Sequence, residues 1–312
     1  MFKKIISVLK KIILPINHGN KLPVPTLQQI ITTAHKIKYN PIVNTNFTTN
    51  KGNKIVNNAG LQLKEIRTYI AGDDVRMIDP NTSARYNAPY VKIYEAFIEP
   101  QAIIAIDLSS SIWHKGSLQI CTQIEIATLL TTVLSKAAVN TKIIFFNNKV
   151  LPLPPLKQHA NLPNYIYTQL TNNIPTIPKQ KTNFDALFNY LNFEVKTFSE
   201  IYIITDGITT ATPMLAKAIN ILSNKHALQI LLLQPNNVFN TKNKGLINVE
   251  DAETGAIINV DASNKYVQQY YAQQTQLNYN WWQKQLQNNL CNVTMFNSYN
   301  MVTKLQTIFN KQ

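Results

Sequence analysis

Acidic residues are scarce in this chain, and its first part has none: ten lysines and no aspartate or glutamate precede Glu65. Across 312 residues, 16 acids face 30 lysines and arginines, a net charge of +14. Such a balance excludes cationic partners as the natural choice. It favours an acidic protein, anionic lipid or nucleic acid, although a Lys- and Asn-rich surface can also serve solvation alone. Cysteine occurs only as Cys121 and Cys291. Without ligand spacing, the pair makes neither a disulfide framework nor a thiolate metal site, and both are expected to be reduced thiols in a cytosolic protein. No run approaches the roughly 18 apolar residues of a membrane span. No G-x-x-x-x-G-K-[ST] loop is present to cradle phosphates. The length suffices for a large core and suggests two structural parts.

What is present begins with Ala102–Ile106, an apolar run of the kind that forms a central strand buried on both faces of a parallel sheet. It ends in Asp107-Leu108-Ser109-Ser110-Ser111. In open α/β sheets ligands sit beyond the carboxyl ends of strands, so Asp107, Ser109 and Ser111 are expected to converge there. A carboxylate and two hydroxyls are hard oxygen donors, suited to Mg²⁺, Mn²⁺ or Ca²⁺. An Asp-Ser turn can equally cap a helix. A second buried-strand pattern, Ile201–Thr205, ends in Asp206-Gly207, and Thr182 lies on a loop just before the helical pattern of Ala186, Leu187, Tyr190 and Leu191.

This ordered set resembles the metal-ion-dependent adhesion site of von Willebrand factor A domains. The resemblance implies five coordinating positions, Asp107, Ser109, Ser111, Thr182 and Asp206, with one coordination position open to a carboxylate from another molecule. That is a docking site rather than a catalytic one.

The remaining patterns predict an α/β, doubly wound, mostly parallel sheet with an amino-terminal helical and extended-strand extension. Helices are expected over 117–139, 165–170, 185–195, 213–224, 264–289 and 299–309, and strands over 142–146, 228–233 and 293–296. Residues 150–156 form a Pro-rich edge of little strand capacity, and 245–260 a hairpin. Residues 2–14 place Phe2, Ile5, Ile6, Leu9, Ile12 and Ile13 on one helical face and lysines on the other. This basic amphipathic helix could lie on a membrane surface or dock on protein; it lacks the apolar centre of a signal peptide. A second helix is expected over 26–38 and a polar loop over 40–60. The expected division is 1–60, basic helices and loop; 61–100, extended motif segment; and 101–312, the von Willebrand factor A-like domain.

Within 61–100 stand the only three arginines, Arg67, Arg76 and Arg85, with three of the eight aspartates, Asp73, Asp74 and Asp79. Arginine in so lysine-rich a chain suggests bidentate pairing with carboxylates, and Gly72 permits a tight turn. A buried salt-bridge network and a partner-contact surface both fit. Adjacent Asp73 and Asp74 point apart on an extended chain and make a poor acid/base pair. Arg67, Tyr69, Gly72, Asp73, Asp74, Arg76, Ile78, Asp79, Ala84 and Arg85, followed by the A-like domain, resemble the bacterial domain-of-unknown-function family number fifty-eight. Pro80 stands where that family usually has tryptophan. Members commonly accompany MoxR-type AAA+ ATPases.

The resemblance implies a non-enzymatic, Mg²⁺-dependent adaptor that binds a carboxylate on a partner, with a MoxR-type AAA+ ATPase and an acidic client protein as partners. Its expected setting is cytoplasmic, with peripheral contact at the inner membrane through 2–14. Two alternatives differ in class. One is a metal-dependent phosphatase or phosphotransferase, against which Ser109 occupies the place of the usual second acid. The other is a basic membrane or nucleic-acid binder, of which nucleic acid is the less favoured. Tyr266, Tyr270, Tyr271, Tyr279, Trp281 and Trp282 recur at helical spacing and are expected in the core or a protein interface rather than as base-stacking platforms. His114 is expected at the surface.

Overall fold

A computed structural model describes residues 13–15, 24–39, 41, 61–96, 100–113, 118–153, 161–173, 180–208, 212–234, 245–251, 257–286, 289–297 and 300–310. In chain order these form β1 (Ile13–Pro15), α1 (Leu27–Ala34), β2 (Leu61–Thr68), α2 (Pro80–Tyr86), β3 (Tyr90–Ala96), β4 (Gln101–Asp107), α3 (Leu118–Lys136), β5 (Asn140–Phe146) and β6 (Val150–Pro152). They continue as α4 (Leu162–Asn173), α5 (Phe184–Glu194), β7 (Glu200–Thr205), α6 (Pro213–Ser223), β8 (Ala227–Leu233), β9 (Leu246–Asp251), β10 (Ile257–Asp261), α7 (Lys265–Gln285), β11 (Asn292–Phe296) and α8 (Met301–Asn310).

The expected doubly wound, mostly parallel sheet is present. Its order is β11-β8-β7-β4-β5-β6, and only the edge strand β6 runs antiparallel. Alternation along the apolar strands feeds two cores. Ala102, Ile104 and Ile106 of β4 face α3, α4 and α8, while Ile103 and Ala105 face α5, α6 and Trp282 of α7. Strand order reverses at β4, which lies between β5 and β7. The crevice at that reversal is where a ligand site is expected, and both aspartates of the sequence motif end strands beside it.

Packing divides the chain into two compact units, Val43–Pro100, and Met1–Ile42 with Gln101–Gln312. The described residues 24–39 and 41 group with the sheet domain. Ile30, Ala34 and Ile37 are buried in the sheet domain's own core, and the Tyr39 hydroxyl donates to the buried Glu200 at 2.8 Å. Helix α1 is shorter than expected and starts at a capping box, Thr26 with Gln29.

The end of the expected amphipathic helix is corrected: Ile13–Pro15 forms a strand antiparallel to β9, in a small sheet with the β9–β10 hairpin. Pro15 cannot extend a helix but tolerates a sheet edge. The rest of 2–14, most of the 40–60 loop and His114 lie outside the described residues. The extended segment 61–100 is broken by a 3-10 turn (Val75–Met77) and by α2. Asp79 caps that helix, and Pro80 occupies the first helical position, where its fixed φ and missing amide hydrogen fit. Among the described residues no helix is long and apolar enough to cross a membrane.

His226, just past α6, is 3% exposed, and burial with the nearby Lys225 charge lowers its pKa from 6.5 to about 4. The unfolded chain binds this proton first as pH falls, so the stability gained from the neutral imidazole is lost between about pH 6.5 and 4. Denaturant titrations across that window are expected to show wild type losing more stability than His226→Leu.

Candidate functional site

The site is built on the ends of β4 and β7. Asp107, the last residue of β4, is fully buried. Its Oδ1 accepts from the Ser109 amide at 2.9 Å, and its Oδ2 accepts from the Thr205 hydroxyl at 2.6 Å and the Thr182 hydroxyl at 3.4 Å. The Ser109 and Ser111 hydroxyls lie 2.8 Å apart. Ser110 turns the other way, its amide and hydroxyl both bonding the Gln180 carbonyl, at 2.9 and 3.2 Å. Alternation in the D-x-S-x-S string thus sends two serines to the pocket and uses the third to fasten the loop that carries Thr182.

Other bonds lock these loops. The Leu108 amide donates to the Phe146 carbonyl at 2.7 Å, and the Asn183 amide to the Asn147 carbonyl at 2.8 Å. Beneath Asp107, its carbonyl accepts from Gln123 at 2.7 Å and from the Trp113 indole at 3.2 Å. On the second strand end, Asp206 is 5% exposed and its Oδ1 accepts from the Ile208 amide at 3.1 Å. Gly207 has φ +69°, and its carbonyl accepts from the Trp282 indole at 2.8 Å.

Burial, and then the charge of Asp206, raises the Asp107 pKa to about 7. Two buried carboxylates at neighbouring strand ends, with hydroxyls beside them, are the setting a hard cation relieves. Among the described residues no group of three or more His, Cys, Asp or Glu side chains could hold a metal ion, so a cation here would depend on hydroxyl donors. The five positions fit that requirement: Asp107, Ser109, Ser111, Thr182 and Asp206 are all brought to this end of the sheet.

Sequence patterns alone missed three neighbours. Thr205 bonds Asp107 and also accepts from the Gly207 amide at 3.0 Å; a buried threonine closing an apolar strand was its only signal. Trp282 is fully buried against Phe184, Phe188 and Trp281, as core packing requires. Tyr271, also on α7, has its pKa raised by burial and then by the Asp206 charge. In the same aromatic group Tyr266 is exposed.

The arginine motif forms its own unit. Arg67 forks onto Asp73 at 2.8 and 2.9 Å, and Arg76 onto Asp74, its closest contact 2.6 Å. These pairs lock the turn at Gly72 (φ +109°), but they are not buried as a network: the Arg67 and Arg76 side chains are 34% and 69% exposed. Asp73 and Asp74 serve different arginines, so no acid/base pair forms. Asp79 alone is buried, held by Thr82 and by Lys92 at 3.0 Å. Tyr69, on the same turn, donates its amide to the Pro89 carbonyl at 2.8 Å, and Arg85 is exposed in the last turn of α2.

A family model described as "Protein of unknown function DUF58" matches residues 65–280. No curated protein matches the chain. Solved structures similar to it include an aerotolerance-related membrane protein from Bacteroides fragilis, 17% identical over 68% of this chain and 100% of that one, TM-score 0.37. Another is the conserved hypothetical protein BatB from Bacteroides thetaiotaomicron, 17% identical over 68% and 96%, TM-score 0.40. A von Willebrand factor type A protein from Catenulispora acidiphila is 12% identical over 70% and 44%, TM-score 0.36.

A methyl group on Gly207 would stand 2.4 Å from Leu232 Cδ2 and 2.8 Å from Trp282 Nε1, at a φ that side chains resist. Gly207→Ala is therefore expected to cost about 2 kcal/mol or more. Chemical denaturation should show the loss, and near-ultraviolet circular dichroism should show a changed indole environment.

Proposed function

Starting from the premise that this chain belongs to the DUF58 family, we propose that it is a non-enzymatic adaptor whose divalent-cation site docks a carboxylate of a partner protein. One observation carries this: Asp107 and Asp206 are buried at adjacent strand ends, the same end of the sheet that carries the hydroxyls of Ser109, Ser111 and Thr182. Bound there, Mg²⁺, or Mn²⁺ or Ca²⁺, would neutralise the paired carboxylates and offer a coordination position to an incoming carboxylate.

The chain's own residues do the rest. Thr205 and the Ser109 amide hold the Asp107 carboxylate in one orientation. Gln123 and Trp113 fix its backbone from below. Ser110 keeps the Thr182 loop in register with the serines. The partners proposed are a MoxR-type AAA+ ATPase, which would supply the ATP chemistry, and an acidic client suited to a chain of net charge +14. The exposed Arg76 and Arg85 of the motif unit are the proposed second contact with that system.

Ser109→Ala removes one donor and no packing volume of consequence. With Mg²⁺, wild type is expected to gain thermal stability and to bind a purified MoxR-type ATPase in a pull-down, and chelator should abolish both. Ser109→Ala should keep the fold and lose both responses. Binding that persists in excess chelator would overturn the proposal.

A further inference from the structure

Away from the Asp107 end of the sheet, the first part of β5 lies at an edge. Among the described residues, edge strand β6 pairs with β5 from Phe146 to Ile144, and the Leu153 amide bonds the Ile143 carbonyl at 3.0 Å. Asn140–Lys142, the first part of β5, pairs with β4 on one side. Among the described residues no strand pairs with it on the other. Backbone groups alternate along a strand, so Thr141, two residues from Ile143, presents its amide and carbonyl to the same outer edge.

A cavity of about 460 Å³ surrounds this edge. It reaches both faces of the sheet. On one it is lined by Ile143, Leu162 and Tyr165, and on the other by Ile103, Tyr190 and Val195. Its floor is apolar and buried, and its rim carries exposed Lys142, Lys196 and a single carboxylate, Glu194. A space that wraps an open strand edge and offers a place on each face has the form required by an extended peptide, whose side chains alternate between faces while its backbone bonds the edge.

We propose that the Thr141 edge of β5 accepts an extended segment of another protein by strand addition, with apolar side chains in the cavity and an acidic residue at the Lys142 and Lys196 rim. This site is independent of the Asp107 pocket.

The test uses the full chain and a fluorescein-labelled hexapeptide of alternating valine and glutamate, read by fluorescence anisotropy. Binding should be saturable and insensitive to chelator. Methylating the peptide's backbone nitrogens should weaken it by about tenfold or more, because the edge bonds are lost while the side chains remain. Thr141→Pro, which removes an amide facing away from β4, should have the same effect, and Thr141→Val should bind as wild type does. A peptide of alternating valine and lysine should bind more weakly. No binding at millimolar peptide, or equal binding of the methylated peptide, overturns strand addition; equal binding of the lysine peptide overturns the acidic requirement.

Discussion

The hydrogen bond from Thr205 to Asp107 joins the ends of two adjacent parallel strands, and the organisation of the site depends on that junction. It puts a buried carboxylate where strand order reverses and leaves its second oxygen committed to the Ser109 amide. Burying the carboxylate is costly unless donors surround it. Threonines from two other segments and the serine loop supply them. Burial raises the Asp107 pKa most, and the charge of Asp206, one residue beyond Thr205, raises it further. Two buried carboxylates at neighbouring strand ends are the setting in which a hard cation gains the most.

Much of this was legible along the chain because the relevant information is local. The apolar runs ending at Asp107 and Asp206 announce buried parallel strands, and Ser109 and Ser111 follow within four residues of the first. Thr182 could be placed by its position just ahead of a helical pattern. What stayed hidden is non-local or subtle. The Trp282 bond to Gly207 spans 75 positions. Thr205 looks like one more strand residue until β4 lies beside it. Strand β1 depends on pairing with β9, more than two hundred residues away, and local periodicity there favoured a helix.

The motif unit teaches the same lesson from the other side. Arg67 with Asp73 and Arg76 with Asp74 pair across only six and two positions, and the sequence anticipated their forks. It did not anticipate their exposure. Pro80, a departure from the family pattern, proves to be the residue that starts α2 behind its Asp79 cap. A large aromatic there would contribute packing, whereas proline contributes a preset helical turn.

Two of the three tryptophans in this chain hold a backbone carbonyl at the site: Trp113 grips that of Asp107, and Trp282 that of Gly207. Each indole is buried and bonded to one of the two loops that carry the aspartates. The protein therefore contains intrinsic optical reporters on both jaws of its pocket, and events there can be followed by native emission without attaching a dye.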